Sequence, residues 1–600
     1  MRNEPGARRK AVTLAVILLL SGALAWAVIR GRSERGPRGP DAAGVWDVIV
    51  VGSEPEGIAA AVAASESGAR TLLITEDARL GGLFVLGELN VLDLRTQPFD
   101  YQQGFFERWW EAVGRGHAFD VERAEVAFGR FLKEARVTVQ LNEHGITPVL
   151  EAEAVIGIQA GEAAYPARQV IDATADMDFA SRAGAAYSVG FESLGLTERM
   201  ADTLVFRVAG VDWQALRRGV RERGATYASE DDRVVWGHFG GYPAAYQPTE
   251  DGIRLRGLNI GRQDDGSVLI NALLIYGIDP FDGASRASGR ERAALEASRI
   301  VDYLALELPG FGSARLAGVA PGLYIRESRH LRALCTLTVD DVLDNRVTLS
   351  DVAAGGYPLD VQTLTPHDDG YVYGAPNIYG VSLCVTVPQH LRGLWVVGKA
   401  AGYDPIAASS ARVVPFGMAL GEAVGVAAAT AARAGLQPDE LVTDEALISD
   451  VREILSDRGA YLPEVAAREP VGPVGHPHYA AYRLLLSRGL AVGGYSNDPR
   501  LDQPVQAISY LYLLSNIATR FHGQPELGDM LLHRFPSTEG PLTREVAVRL
   551  TLAALCAMRA CASESEELGL IRDYLPETSG PVLTRGEMYA FGALVIHLRQ

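Results

Sequence analysis

Nine consecutive residues, GLYIRESRH, bring together Tyr324, Arg326, Glu327, Arg329 and His330. Guanidinium groups present planar donor forks that match a carboxylate or another anion, so Arg326 and Arg329 are candidate substrate binders. Imidazole titrates near neutrality, which makes His330 a candidate carrier of the proton that accompanies a hydride transfer. Alternating charges beside a strand equally describe an ion-paired or solvated face, and the fold must decide between the two readings.

A second constellation is built on glycine. Residues 47–51 form an apolar, β-branched run suited to a buried parallel strand, residues 57–67 an alanine-rich helix, and residues 71–74 a second strand. In such a strand–turn–helix–strand unit, the unpaired N–H groups and positive dipole end of the helix meet a diphosphate. The turn here carries Gly52, Ser53, Glu54 and Gly57. Gly52 makes the tight turn and Gly57 lets the helix pack closely, but Glu54 stands where the usual pattern has its middle glycine and sets a carboxylate towards phosphate. The acid that grips an adenosine ribose is expected about 20 residues on, at Thr75 or Glu76, and Glu76 is the candidate.

Further positions complete the set. Gly81 and Gly82 follow the second strand and let backbone run against a flat ring system. Short strands are expected at residues 152–158 and 167–171, the second leading to Thr174 at a strand end beside the nucleotide. Residues 394–397 are another strand, followed by Gly398. Arg412, Pro415, Gly417 and Met418 lie at the start of a second alanine-rich helix; proline suits a first helical turn, and that N-terminus stabilises negative charge on a reduced ring. Asn90 and Asp93 either face that ring or cap a turn. No second strand-linked glycine fingerprint occurs, so a nicotinamide site is not signalled.

These residues must be positioned by a chain of 600 residues, 48% hydrophobic, with formal charge −18. That length allows about three or four domains. The acidity argues against a nucleic-acid partner. Cys335, Cys384, Cys556 and Cys561 include no CxxC pair, and the expectation is four buried free thiols with no metal site. Ahead of the first strand, residues 1–10 are basic and residues 11–29, AVTLAVILLLSGALAWAVI, are an uncharged run long enough to span a bilayer. Ala25-Trp26-Ala27 offers a cleavage site for a secretion signal, whereas the length and the basic residues that follow favour an uncleaved single-pass anchor. Basic residues on both sides leave its orientation open. Residues 30–45 read as a linker.

Beyond residue 437 the composition turns helical. Three segments recur, with Pro504, Pro541 and Pro581 spaced 37 and 40 residues apart and with Thr543 and Thr584 placed as N-caps.

In combination, GSEPEGIAAA, RLGGLFVLGELNVLD, VIDATADMD, GLYIRESRH, LTVDDVL and SSARVVPFGMALGEAVG resemble the FAD-dependent oxidoreductases of the glutathione-reductase-like, two-dinucleotide-binding-domain type. The resemblance covers about residues 47–435. It implies an α/β fold: a discontinuous Rossmann-like FAD-binding domain (46–200 and 341–436) with an inserted α+β substrate domain (201–340), between the N-terminal transmembrane helix and a mostly α-helical C-terminal domain (437–600). It also implies FAD cradled by the glycines, Thr174 and the 412–418 segment, and hydride exchange with a small-molecule substrate. Departures from the pattern are Glu54, Thr75, Ala175 and Cys384, the last standing where an arginine is expected. The stretch HPHYAAYRLLLSRGLAVGGYSNDPRLDQPV resembles an S-layer homology module, which implies a cell-wall polymer as partner, a catalytic part outside the cytoplasm in the cell envelope, and Arg8-Arg9 as an export signal. The departures motivate a rival expectation, a non-catalytic envelope protein on a decayed flavoprotein fold; a helical tail packed on the flavin domain or on a dimer partner is the alternative for the C-terminus.

Overall fold

A continuous apolar run buried from Val48 to Val51 forms β1 (Trp46–Val51), the centre of a parallel sheet in the computed structural model. That model describes residues 44–94, 100–466, 468–522, 525–535, 539–559 and 576–598. The anchor and basic segment expected at residues 1–29, and residues 30–43 of the linker, lie outside the described residues.

β1 pairs in parallel with β2 (Thr71–Ile74), in register Val48↔Thr71, and on its other side with β6 (Ala163–Asp172), in register Val51↔Asp172. β2 continues to β3 (Thr138–Gln140), and strand Leu394–Val396 lies parallel to the second half of β6. The first half of β6 instead joins an antiparallel ribbon with β4 (Thr147–Glu151) and β5 (Ala154–Ala160). All parallel partners of β1 therefore end at one edge, where open α/β sheets bind ligands.

Helix Pro55–Glu66 covers this sheet, and helix Val414–Ala434 covers the first helix. Their approach is set by missing side chains: a Cβ on Gly421 would lie 2.2 Å from the Glu56 carbonyl oxygen, and one on Gly425 equally close to the Ala60 carbonyl oxygen. The later helix is long and apolar enough to cross a membrane, yet it is buried inside the protein, which explains its composition without lipid.

A six-stranded antiparallel sheet runs in the order Arg315–Val319, Asp202–Ala209, Val268–Ile275, Ile253–Arg262, Val234–Gly237, Ser229–Glu230. Helix Gly283–Glu307 packs on it, started by Asp282, whose side chain accepts the Ala284 and Ser285 amides. The chain returns towards the parallel sheet through Tyr324, whose backbone exchanges two hydrogen bonds with Thr203.

In the C-terminal region the three recurrent segments meet. Val505 N–H donates to Leu583 O, Leu583 N–H to Leu542 O and Leu542 N–H to Val505 O, at 3.2, 2.7 and 2.9 Å, a closed three-membered ring. Thr584 caps its helix through a capping box with Glu587, and Thr543 Oγ1 accepts the Val546 amide.

The cysteines depart from expectation. Cys335 and Cys384 form a disulfide across 49 residues, Cys556 is also disulfide-bonded, and no free cysteine occurs among the described residues. The expectation of free thiols came from local spacing, whereas the fold pairs residues from two separate segments, bringing the Cys335 amide to the Cys384 carbonyl.

Candidate active site

At the carboxyl edge of the parallel sheet, against the antiparallel sheet, lies a cavity of about 460 Å³. Its first wall is the glycine turn. Gly52 has φ +108° and a Cβ there would lie 2.3 Å from Ala173 O, so the turn tolerates no other residue; a Cβ on Gly57 would already be replaced at 2.4 Å by that of Ala173. Helix Pro55–Glu66 starts at this turn without a side-chain cap, and Thr174 and Gly398 line the space.

Two carboxyl groups share the cradle. Glu54 Oε2 accepts the Leu83 amide at 2.9 Å, and its carboxyl carbon sits 2.2 Å from where a Gly82 Cβ would be. Gly82 thus makes room for Glu54, and Gly81 for Val85 and Phe128. The Glu56 side chain, only 6% exposed, fills the space beside Gly417 in the same way. Burial pushes Glu54 up to about 7 against the pull of the Leu83 amide, and burial together with the Glu54 charge pushes Glu56 up to about 8. Near neutrality the cradle therefore favours neutral acids.

Lys399 stands next to them, its Nζ bonded to Asp176 Oδ1 at 2.8 Å and to Ala175 O. Burial alone would raise the Asp176 carboxyl, but the charge and hydrogen bond of Lys399 outweigh it and hold the group below its usual range. Asp77 also lines the cavity and accepts the Ser53 hydroxyl at 2.7 Å.

The opposite wall is cationic. Arg412 Nη1 donates to the Tyr324 hydroxyl at 2.7 Å, and the Arg326 guanidinium stacks 4.2 Å from the Tyr324 ring centre. Burial would raise the Tyr324 phenol, but Arg412, Arg326 and Arg256 together hold it below its ordinary value. Arg286 and Arg290, from the first turns of helix Gly283–Glu307, complete this side.

The residues singled out in the sequence separate into two groups. Gly52, Glu54, Gly82, Thr174, Gly398, Arg326 and Arg412 line the cavity or its turn; Ser53 acts through Asp77, and Pro415 starts helix Val414–Ala434 with Gly417 and Met418 buried behind it. Glu76, by contrast, accepts the Gly145 amide at the surface, because the turn after β2 is folded by Thr75 and Ser53 onto Asp77 one residue later. Arg329 and His330 lie in a short strand off the cavity wall. Arg329 Nη1 donates to Asp176 O and Asp178 Oδ1, and His330 Nε2 pairs with Glu327 Oε1 at 3.2 Å, while Arg329 Nε and His330 Nδ1 are buried without a hydrogen-bond partner among the described residues. Asn90 donates to Phe119 O and Asp93 accepts the Tyr357 hydroxyl, both outside the cavity wall. Sequence reasoning missed Asp77, Glu56 and Lys399, although Lys399 directly follows Gly398 in VVGKAAG.

The model of the family "FAD dependent oxidoreductase" matches residues 47–455. The chain belongs to that family. FAD is accordingly its cofactor, and the oxidoreductase's cradle fits a diphosphate by its turn, its helix N-terminus and its volume, with Glu54 and Glu56 compatible as neutral acids. Among solved structures, a geranylgeranyl bacteriochlorophyll reductase-like protein from Thermoplasma acidophilum is 14% identical, covering 88% of this chain and 99% of its own, with a TM-score of 0.35. The p-nitrophenol 4-monooxygenase of Pseudomonas putida is 10% identical over 68% of this chain and 87% of its own, and a myxobacterial chondrochloren halogenase 16% identical over 68% and 78%, each with a TM-score of 0.33. No curated protein matches the chain.

Proposed function

We propose that this oxidoreductase exchanges hydride between its flavin and a small-molecule substrate held in the 460 Å³ cavity, at the outer face of a membrane to which residues 11–29 anchor it. The observation that carries the catalytic part is the meeting of two unlike walls, a dinucleotide cradle on one side and Tyr324, Arg326 and Arg412 on the other. FAD, when bound, supplies the hydride-accepting and hydride-donating ring. The chain's own groups do the rest. Arg326 and Arg412 orient the substrate, Tyr324 holds or releases a proton at its hydroxyl, and Leu83, Leu86 and Val414 exclude water from the same space.

The Cys335–Cys384 disulfide supports a location outside the cytoplasm, since such bonds persist in oxidising compartments. The ring of three recurrent segments supports the likeness of the tail to S-layer homology modules and, with it, attachment to a wall polymer. Membership of a flavoenzyme family disfavours the rival reading of a non-catalytic envelope protein. The test is colour and reduction: purified protein should release stoichiometric FAD on denaturation, and a candidate donor should bleach the bound flavin under anaerobic conditions. Protein that carries no flavin and takes up none would defeat the proposal, as would failure of the isolated tail to sediment with cell walls for the attachment.

A further inference from the structure

Resting on the reading of the cavity as the substrate site, the arginines of its second wall say what kind of molecule enters. Arg326 is 2% exposed, yet no carboxylate pairs with it: its Nη1 donates to Ala201 O and Thr203 Oγ1, both at 2.7 Å. Arg412 bonds the Tyr324 hydroxyl and Asp360 O, and its buried Nε has no hydrogen-bond partner among the described residues. Arg256, in strand Ile253–Arg262, likewise leaves its buried Nε unbonded and adds its charge to the same tyrosine. None of the three makes an ion pair among the described residues, although Asp202 stands in electrostatic range of Arg326, Asp360 in range of Arg256, and Asp360 and Glu327 in range of Arg412. Glu327 is engaged by His330 and by the Met200 amide.

Three guanidiniums that act on one phenol, with carboxylates in range but none in ion-pair contact among the described residues, repel one another, and an anion that joins them relieves that repulsion. Other arginines of this protein are paired: Arg79 with Glu122 and Glu125, Arg207 with Glu88, Arg483 with Asp340 and Asp344. We propose that the substrate carries an oxyanion, a carboxylate or a phosphate ester, which docks on Arg326 and Arg412 beside the Tyr324 hydroxyl. Cofactor phosphate belongs at the glycine turn, at the N-terminus of helix Pro55–Glu66. The oxyanion leaves the uncharged part of the substrate to extend towards Leu83, Leu86 and Gly87.

The test uses the full-length, flavin-loaded protein with succinate and inorganic phosphate as separate probes, read by the flavin absorbance spectrum. Saturable perturbation is expected with at least one probe, and its relative affinity tells carboxylate from phosphate. Arg326→Gln should weaken that probe about tenfold or more while flavin content is kept. No saturable response up to roughly 50 mM overturns the inference while leaving the flavoprotein reading intact, and so does a response unchanged in both Arg326→Gln and Arg412→Gln. Loss of flavin in Arg326→Gln would assign the arginine to the cofactor and equally overturn it. Should Arg326→Gln fail to fold, the phenolate titration of Tyr324 decides, taken as the difference between wild type and Tyr324→Phe. A bound anion offsets the arginines and must move that titration to higher pH; an unmoved titration refutes the inference.

Discussion

Replacing Glu54 and Glu56 by glutamine removes two ionisable groups from the diphosphate cradle while keeping their size. In the flavin-free protein the carboxyls titrate near 7 and 8, so both are largely neutral at pH 6 and both ionised at pH 9. A carboxylate about 5 Å from a phosphate repels it by about 3 kcal/mol at an effective dielectric near 20, enough that each diphosphate should arrive with a proton returned to each acid. Between pH 6 and pH 9 that requirement weakens FAD binding by about a hundredfold through Glu54 and about tenfold through Glu56, roughly a thousandfold or about 4 kcal/mol together. The sign is fixed by the direction of the shifts: raised carboxyls are neutral below their folded values, so affinity is greatest in acid and is lost as pH rises through 7 and 8. The same groups make the flavin-free fold less stable across the window from 4.5 to 8, because the unfolded chain gives up protons that the folded chain retains. Titration of the flavin-free protein with FAD, followed by quenching of flavin fluorescence at a series of pH values, measures the slope. A wild-type affinity flat across this range, or a Glu54→Gln/Glu56→Gln variant with an undiminished slope, would refute the reasoning.

Gly421→Ala places a methyl 2.2 Å from the Glu56 carbonyl and should cost about 1–3 kcal/mol or more in denaturant unfolding, where a neutral effect would mean that the helices separate freely. Arg329→Ala should destabilise the protein by about 2 kcal/mol by stranding Asp178 and the Asp176 carbonyl, with the affinity for oxyanion probes unchanged; a selective loss of probe binding would return Arg329 to the site. Cys335→Ser/Cys384→Ser opens a loop of 49 residues and should lower stability by about 4 kcal/mol in denaturant unfolding of the oxidised proteins, where an unchanged stability would refute the estimate. Thr584→Ala removes the side-chain half of a capping box, leaving the Thr584 amide on Glu587, and should cost about 1 kcal/mol, seen as earlier melting of the tail alone.

The parallel sheet was legible because burial on both faces writes itself as unbroken apolar runs: residues 47–51 and 71–74 match β1 and β2 to within a residue. Gly52 and Gly57 were legible for a related reason, since one backbone conformation and one close contact leave a single residue type. Residues 152–158 and 167–171 were read as short strands, but β6 is twice that length because its two halves serve different partners, which no local pattern encodes. At Gly81 and Gly82 the sequence did not show which side chains of this protein fill the space a Cβ would take, Val85 and Phe128 at the first and Glu54 at the second. In the GLYIRESRH cluster, type and spacing located charge but not direction. Tyr324 and Arg326 reach the cavity, whereas Arg329 turns to a carboxylate from a distant segment, Asp178, and His330 to Glu327 of its own cluster. The disulfide and the Asp77 contact were hidden by the same kind of long-range pairing.

The trio of hydrogen bonds in the tail also constrains how such a tail can change. Each recurrent segment gives one donor to a neighbour and takes one from the other, so the count of three is closed arithmetically. Deleting a segment strands one amide and one carbonyl in the two that remain, and a fourth has nowhere to bond. A duplication or loss of a single unit therefore cannot proceed stepwise here, as it can in an open stack; the array must be inherited, and lost, as a whole.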